Sequence, residues 1–318
     1  MSHSIAFILP YIGKFNNYFN LFLQSCSYNP DIDWFIFTDN EPRGNYSNVH
    51  FVKFSFEELK QRIQNKYDFE ILLDNPYDLC DFKVAYGEIF QDYIGNYDFW
   101  GFCDCDLIFG NLRNFLTEDI LNQYDKIYMR GHCTLFRNNS EINSLYRRKI
   151  NGNERYKYCF THAGAHHFDE GLADCVEGIN MIFTQAHKDI YDKHDFMDVN
   201  IYHYGFFQSD YIDDPQEIAI SGHSYFYWDK GRLIRSYRCG EEYSEKEYMY
   251  IHLQKRKMDS RFGCNDWENL PQKYVIVPNK FIKYDKKKEN SYFKMNRDKI
   301  YWSYLFKRVK TKICKKLG

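Results

Sequence analysis

The sequence predicts an α/β fold: a mostly parallel sheet with helices on both faces, a smaller antiparallel portion and a helical C-terminal tail. Short apolar runs, typical of buried strands, alternate with helical segments through the first part of the chain, which is the pattern of a parallel sheet. A hairpin pattern follows in the second half. Of the 318 residues, 44% are hydrophobic and 27% are charged, so the chain can bury a core, and the composition favours a folded chain over a disordered one.

In the first half, four apolar runs are predicted to be strands, at residues 5–9, 34–37, 50–54 and 99–103. Helices are predicted at 17–26 and 79–93, and a further helix after Ser55. Ser55 has the character of an N-cap, because Glu57 and Glu58 fall in the first helical turn after it.

In the second half, the pattern is that of antiparallel strands. Two aromatic and apolar runs, 225–228 and 233–234, flank the tripeptide 229–231, which contains a glycine and is typical of a hairpin turn. Residues 248–253 and 274–277 are further strand candidates, and the sequence contains no internal repeat.

Three predicted strands end in turn or polar residues, at 10–13, 38–39 and 104–106. Parallel sheets bind their ligands beyond the carboxyl ends of the strands. We therefore expect the binding site at these three places.

The sequence carries no targeting signal that we can identify. No apolar stretch approaches the roughly 20 residues that cross a membrane, and the N-terminal segment lacks the basic region of a signal peptide. The ten cysteines lie in strand-like runs without a CxxC pair, which favours reduced thiols over disulfides or a zinc ribbon. We expect a cytoplasmic protein.

The charge is divided unevenly along the chain. Residues 283–318 contain thirteen Lys or Arg and three Asp or Glu, a net charge of +10, whereas residues 1–282 carry −12. We therefore predict a domain at 1–282 and a basic tail at 283–318.

The tail has apolar residues at helical spacing: Trp302, Leu305, Phe306, Val309, Ile313 and Leu317. This pattern suits an anionic membrane surface; the alternative is a helix docked on its own domain. The acidic body argues against nucleic acid as a partner.

Asp104 and Asp106 are the most informative pair of residues. They follow an apolar strand at positions i and i+2, so their side chains project to one side if the backbone stays extended. Two adjacent carboxylates favour a cation between them, and oxygen ligands without thiolates suit Mn²⁺ or Mg²⁺. The alternative is a solvated turn at the end of the strand.

Residues 97–110, which contain this Asp-Cys-Asp sequence, resemble the DxD segment of GT-A-fold glycosyltransferases, with bacterial capsule and lipopolysaccharide enzymes as the nearest comparison. Three other segments fit the same comparison. Residues 79–87 resemble the helix before the DxD strand, 168–171 the acidic segment beside the acceptor, and 250–257 the late histidine segment. The resemblance implies a GT-A-like, Rossmann-type sheet.

The resemblance also implies roles for individual residues. Asp106 would ligate Mn²⁺ or Mg²⁺, Asp104 would reach the metal or the ribose, and His252 would complete the metal site. Lys255 and Lys257 would offset the charge of the leaving diphosphate, as would Arg256 between them. The alternative for His252 is an ordinary strand histidine. For each of the three basic residues, the alternative is a solvated surface charge.

Three residues are candidates for binding the nucleotide. Lys83 lies in the segment that, in such enzymes, carries a basic residue facing the nucleotide, although it could also be a surface lysine. Asp39 could accept from a ribose hydroxyl or a uracil N–H, or could cap a turn instead. Tyr11 could stack on the base.

Asp169 is the candidate general base, with Glu170 as the second choice. An inverting transferase needs a carboxylate that deprotonates the acceptor hydroxyl; in a retaining enzyme Asp169 would only position substrate. Both residues could instead cap a helix that begins near residue 172. The histidines of the run 162–167 could, with Asp169, also form a zinc site.

The sequence thus predicts a metal-dependent glycosyltransferase that moves a hexose from a nucleotide sugar, most simply a UDP-sugar. The acceptor would be a glycan or lipid-linked saccharide of cell-surface polysaccharide synthesis, met at the inner face of the cell membrane. A sugar-1-phosphate nucleotidyltransferase is disfavoured because the loop at 10–14 has a single glycine. A non-catalytic carbohydrate-binding peripheral membrane protein remains the non-enzyme alternative.

Overall fold

A computed structural model describes residues 2–171, 177–200, 203, 205–209, 223–239, 241–259, 262 and 266–295. The chain divides into two compact units. The first unit comprises Met1–Phe15, Asn29–Cys105 and Leu116–Lys193, and the second comprises Asn16–Tyr28, Asp106–Phe115 and His194–Gly318.

The described residues form strands, α-helices and several short 3-10 turns. The strands are β1 (Ile5–Pro10), β2 (Ile32–Thr38), β3 (Val49–Lys53), β4 (Phe99–Cys103), β5 (Leu107–Phe109), β6 (Lys126–Arg130), β7 (Cys133–Arg137), β8 (Ile190–Tyr191), β9 (Met197–Asp198), β10 (Ser224–Asp229), β11 (Arg232–Cys239), β12 (Glu242–Tyr248), β13 (Tyr250–His252), β14 (Lys273–Val277) and β15 (Lys280–Lys283). The helices are α1 (Phe19–Ser27), α2 (Phe56–Gln64), α3 (Leu79–Phe82), α4 (Tyr86–Ile89), α5 (Gln91–Ile94), α6 (Glu118–Gln123), α7 (Ser140–Ser144), α8 (Arg155–Thr161), α9 (Ile179–Gln185) and α10 (Glu289–Met295).

The first unit is built on a seven-stranded sheet with the order β3-β2-β1-β4-β7-β6-β8. Neighbours from β3 to β4 are parallel, β7 is antiparallel to both β4 and β6, and β8 is parallel to β6. Six of the seven strands therefore point the same way. The predicted mixed α/β class with a large, mostly parallel sheet is confirmed.

One face of this sheet packs against helices. Alternate residues of β1, such as Ala6 and Ile8, are fully buried in a cluster with apolar side chains from α2, α3, α4, α5, α7, α8 and α9. Side chains alternate between the faces of a strand, so every second residue of each central strand contributes to this core.

The cap predicted at Ser55 is present. The Ser55 hydroxyl accepts from the backbone N–H of Glu58, and the Glu58 carboxylate accepts from the backbone N–H of Ser55, which completes a capping box at the start of α2.

The prediction of one continuous helix over 79–93 is wrong. The segment consists of α3, a 3-10 turn at Lys83–Ala85, α4 and α5, and Phe90 has a non-helical backbone conformation between the last two. Buried residues occur on every side of this segment. The apolar stripe that marks a regular surface helix is therefore absent, and contacts on several sides, such as that of Phe90 with Phe37, determine the path of the segment.

The second unit contains two sheets. An antiparallel five-stranded sheet has the order β12-β11-β10-β14-β15, and a three-stranded sheet has the order β5-β13-β9. The predicted hairpin joins β10 and β11 through Lys230 and Gly231, whose φ angles of 46° and 86° fit a tight hairpin turn with two left-handed residues. Residues 248–253 do not form the single strand that was predicted. The chain leaves the five-stranded sheet after Tyr248 and enters the three-stranded sheet at Tyr250.

Helix α10 belongs to this second unit. Its Tyr292 and Phe293 are buried in a cluster with Tyr225 and other side chains from one face of the five-stranded sheet. The rest of the predicted basic tail, residues 296–318, lies outside the described residues, so its membrane contact stays a prediction. The predicted domain boundary at 282/283 falls within β15 and likewise stays a prediction. In the part of the chain that is described, each helix is too short or too polar to cross a membrane.

Candidate active site

The carboxyl ends of β1 and β2 lie side by side in the first unit. The backbone N–H of Tyr11 donates to the carbonyl of Phe37 at 2.8 Å, and the backbone N–H of Gly13 donates to Asp39 Oδ1 at 3.0 Å. The ring of Tyr11 stacks on Phe15, with the centroids 5.0 Å apart, and Asp39 is exposed. Tyr11 and Asp39 thus lie at the ends of adjacent strands, where a planar ring and an acceptor can meet a ligand.

Lys83 is the centre of a buried charge cluster in the same unit. Its Nζ donates to Asp104 Oδ1 at 2.8 Å and to the carbonyl of Gly131 at 2.6 Å, and it lies 3.7 Å from Asp169 Oδ2. Burial opposes the charge on Lys83, but the nearby carboxylates of Asp104 and Asp169 outweigh it and hold the pKa of Lys83 well above its ordinary value. Lys83 is therefore a buried, ion-paired lysine and not a surface lysine, and its place beside the nucleotide stays a prediction.

Asp169 is buried beside this lysine. Burial raises the pKa of Asp169 from 3.8 to about 7; Lys83 opposes that increase, and the carboxylate of Glu170 adds to it. Glu170 Oε1 accepts from the backbone N–H of Gly131 at 2.6 Å. A carboxyl that titrates near neutral pH has the property that a general base needs.

Gly131, in the turn between β6 and β7, allows this close approach. A Cβ at this position would lie 2.4 Å from Asp169 Oδ2 and 2.9 Å from Glu170 Oε1. Sequence reasoning missed Gly131, because a glycine between two strands indicates a turn and says nothing about which side chains approach its backbone.

Asp81 anchors the segment that leads to Asp169. Its buried carboxylate accepts from the backbone N–H groups of His166 and Phe168 and contacts His166 Nδ1 at 2.9 Å. The imidazole of His162 instead stacks on Tyr158. The ring of His166 is thus engaged by a carboxylate from α3, which gives this histidine a structural role. The helix predicted near residue 172 falls outside the described residues.

Asp106 and His252 come together in the second unit. Asp106 directly precedes β5, whose antiparallel partner β13 ends at His252. The backbone N–H of Leu253 donates to the Asp106 carbonyl at 3.0 Å, and Asp106 Oδ1 lies 3.4 Å from His252 Nε2. Both side chains are buried. The short sheet therefore brings together two residues that are far apart in the sequence.

The turn after β13 completes the surroundings of Asp106. Gln254 and Lys255 have φ angles of 52° and 57°, a left-handed conformation that is uncommon outside glycine. This turn directs the backbone N–H of Lys255 to Asp106 Oδ2 at 2.6 Å. The side chain of Lys255 is exposed. Lys255 thus contacts the acidic residue through its backbone N–H.

The other two basic residues of this segment differ in their surroundings. Lys257, like Lys255, is exposed. Arg256 is buried, and its guanidinium donates to the backbone carbonyls of Asn200 and His203 at 3.0 and 2.6 Å. Arg256 thus stabilises the local backbone, whereas the resemblance implied a place beside the diphosphate.

Sequence reasoning missed Asp198. Its Oδ1 lies 2.7 Å from His252 Nδ1 and accepts from the side-chain amide of Gln254 at 2.7 Å. The sequence did contain an indication of its importance, because it is a carboxylate inside the apolar run 196–199. A charged residue in a buried strand needs a partner. The identity of that partner depends on the pairing of β9 with β13, which the sequence does not reveal.

His252 is therefore flanked by two carboxylates. Burial opposes its charge, but the attraction and hydrogen bonds of Asp106 and Asp198 are stronger and raise the pKa of His252. Burial likewise opposes the ionised form of Asp106, and the attraction of His252 and the N–H of Lys255 lower the pKa of Asp106.

The donor set of Asp106 and His252 fits a hard divalent cation. Two ligand atoms bound at right angles to one ion, each at about 2.1 Å, lie about 3 Å apart, and the observed separation of 3.4 Å is close to this value. The carboxylate oxygen suits Mn²⁺ or Mg²⁺, and the imidazole nitrogen is a ligand typical of transition metals, which favours Mn²⁺ of the two. The assignment of Asp104 to the same ion stays a prediction.

Comparisons with known proteins add the following. The chain is similar in structure to the galactosyltransferase LgtC in complex with donor and acceptor sugar analogues, with a TM-score of 0.34 and 13% identity over 67% of this chain and 81% of that chain. An active-site mutant of LgtC gives a TM-score of 0.33 and 13% identity over 61% of this chain and 74% of that chain. No curated protein matches the sequence. The model of a family of unknown function, DUF6625, matches residues 7–285, and the chain belongs to this family.

Proposed function

We propose that the protein is a metal-dependent glycosyltransferase that moves a hexose from a nucleotide sugar, with UDP as the preferred nucleotide, to a glycan or lipid-linked saccharide. The observation that carries the proposal is the buried pair of Asp106 and His252, 3.4 Å apart at the ends of strands. This pair supplies the oxygen and nitrogen ligands of a cation that can neutralise a diphosphate.

In the second unit, Asp106 and His252 would hold Mn²⁺ or Mg²⁺. When bound, such an ion supplies positive charge that stabilises a departing nucleoside diphosphate. The amines of Lys255 and Lys257 add positive charge on the same segment of chain, and the backbone N–H of Lys255 keeps the Asp106 carboxylate in one orientation.

In the first unit, Tyr11 and Asp39 are the residues proposed to hold the nucleoside, since they lie at the ends of β1 and β2. A tyrosine ring stacks on a base, and a carboxylate accepts from ribose hydroxyls or a base N–H. Both groups are accessible at a strand end, where α/β sheets bind nucleotides.

Asp169 is the proposed base or positioning group on the acceptor side. Its pKa of about 7 allows it to be deprotonated and yet basic at neutral pH. Lys83 compensates the charge of Asp169 and Asp104, with its Nζ 3.7 and 2.8 Å from their carboxylates. Glu170 is held by Gly131 beside them and is the second candidate for this role.

A capsule or lipopolysaccharide acceptor is part of the proposal, as is attachment of the tail to the cytoplasmic face of the membrane. What supports the attachment is the net charge of +10 in residues 283–318, because a basic segment is attracted to anionic lipids. Recovery of the protein with anionic liposomes, with and without residues 296–318, tests the attachment; equal recovery of the two proteins would contradict it.

The function is tested by incubating the protein with a panel of nucleotide sugars and measuring release of the nucleoside diphosphate, with and without Mn²⁺. The proposal predicts Mn²⁺-dependent release from one donor, and its loss in Asp106→Asn. Release of pyrophosphate from a nucleoside triphosphate and a sugar 1-phosphate would instead identify a nucleotidyltransferase. A binding protein would show no turnover with any donor in either form.

A further inference from the structure

Asp198 and His252 face each other across two neighbouring parallel strands. They are register partners in β9 and β13, both are buried, and Asp198 Oδ1 lies 2.7 Å from His252 Nδ1. This distance is that of a charge-assisted hydrogen bond. The contact therefore depends on tertiary structure and joins side chains that are 54 residues apart in the sequence.

Asp198 is itself held in place by two amide side chains. Gln254 Nε2 donates to the same Oδ1 atom at 2.7 Å, and the backbone N–H of Asp198 donates to Gln208 Oε1 at 2.8 Å. Gln254 thus orients the carboxylate, and Gln208 holds the backbone that carries it, so the carboxylate can determine the orientation of the imidazole.

The chemistry of the pair determines which imidazole nitrogen is available. An ionised carboxylate only accepts hydrogen bonds, so the nitrogen facing it carries the proton. Nδ1 of His252 is therefore the donor, and in the neutral ring the lone pair is on Nε2. Nε2 is the atom that lies 3.4 Å from Asp106 Oδ1.

We infer that Asp198 is a positioning residue, which keeps Nε2 of His252 as the ligand atom for the divalent cation that Asp106 binds; the inference rests on the metal site of the proposed function. A carboxylate behind a ligating histidine fixes the tautomer and raises the basicity of the ring, and its removal weakens metal binding about 10- to 100-fold. Asp198 acts through His252 and is not assigned to the substrate.

The test compares the Mn²⁺ affinity of the full-length protein with that of two variants, using a Mn²⁺ titration followed by EPR. Asp198→Asn keeps an acceptor oxygen and removes the charge, and Asp198→Leu removes both. We expect the dissociation constant to rise about 10-fold and about 100-fold, respectively. Asp229→Asn is the matched control, because Asp229 is paired with Lys273 in the five-stranded sheet, and it should bind Mn²⁺ like the wild type.

A double-mutant cycle with His252→Ala distinguishes an effect of Asp198 through the imidazole from a general effect on the structure. If Asp198 acts through the imidazole, Asp198→Asn has no further effect on Mn²⁺ affinity once His252 is absent. Pulsed EPR of the Mn²⁺-loaded protein should show one coordinated imidazole nitrogen in the wild type, and the coupling should be weakened in Asp198→Asn. Cooperative thermal unfolding of each variant establishes that it is folded.

The outcomes separate this inference from the proposed function. Wild-type affinity and nitrogen coupling in Asp198→Asn, or additive effects in the cycle, would overturn the role of Asp198 and leave the metal site intact. Dependence of Mn²⁺ binding on Asp198 without turnover of any nucleotide sugar would support the inference and overturn the function. Absence of Mn²⁺ binding by the wild-type protein would overturn both.

Discussion

The amine of the buried residue Lys83 donates at 2.8 Å to the carboxylate of Asp104, whose side chain is 33% exposed. The same amine lies 3.7 Å from Asp169, so one lysine compensates two carboxylates. Breaking a buried ion pair from one side leaves an uncompensated charge and costs about 3–5 kcal/mol. The stability of the first unit and the charge state of its acidic residues are therefore coupled through Lys83.

Lys83→Met should lower the free energy of unfolding by about 3–5 kcal/mol at pH 8. The loss should be smaller at pH 5.5, because Asp169, with a pKa of about 7 even beside Lys83, is then protonated. Urea denaturation at the two pH values measures the difference. Lys66→Met, at an exposed lysine, should change little at either pH. An equal loss at both pH values for Lys83→Met would contradict the charge cluster.

The raised pKa of Asp169 makes stability dependent on pH. A carboxyl whose pKa is about 7 in the folded chain and 3.8 ordinarily takes up a proton on folding between these values. The free energy of unfolding should therefore fall as pH rises from about 4 to about 7, by up to about 1.4 kcal/mol per pH unit. Asp169→Asn should remove this slope. Urea denaturation measures the free energy of unfolding of the wild type and of Asp169→Asn at each pH. If this free energy changes with pH in the same way in both proteins, the raised pKa does not belong to Asp169.

Lys126 should produce the opposite slope at higher pH. It is fully buried in β6, and burial lowers its pKa from 10.5 to about 7, although nearby carboxylates partly offset the effect. The unfolded chain then binds more protons between these values, so the free energy of unfolding should rise with pH, by up to about 1.4 kcal/mol per unit. The difference between wild type and Lys126→Met, measured from pH 7 to 10, should show this slope. A constant difference would mean that Lys126 titrates normally.

Gly131→Ala should disturb the two acidic residues. Its Cβ would lie 2.4 Å from Asp169 Oδ2, and overpacking of this kind costs about 1–3 kcal/mol. Thermal or urea unfolding measures the cost, with Gly95→Ala as a control at a helix end. Adding Asp169→Ala removes the oxygen that clashes and should restore part of the loss. If the second substitution restores nothing, the contact between Gly131 and Asp169 does not determine the effect.

The parallel part of the fold could be predicted because its strands are continuous apolar runs. β1, β2, β3 and β4 all follow this pattern, and the turn after β10 contains a glycine. The antiparallel pair β6 and β7 was missed. β6 begins with a buried lysine and contains a register shift with Tyr128 at a φ of 66°, so neither its composition nor its periodicity is that of a regular strand.

For the candidate site, the sequence indicates the candidate ligand residues, but it does not indicate the residues that position them. Asp106 and His252 were predicted from motif and strand ends, and they form a pair. Asp198 and Gly131 were not predicted. The contact of Asp198 depends on long-range strand pairing, and Gly131 matters because two carboxylates approach its backbone closely. Neither leaves a periodic signal in the sequence.

The central claim is that Asp106 and His252 hold a divalent cation for a nucleotide. A crystal structure with Mn²⁺ and UDP, with the metal located by its anomalous scattering, tests it most directly. The account predicts an anomalous peak at coordination distance, about 2.2 Å, from both Asp106 and Nε2 of His252, with the diphosphate completing the shell. Bound UDP with the metal peak away from these two side chains would contradict it.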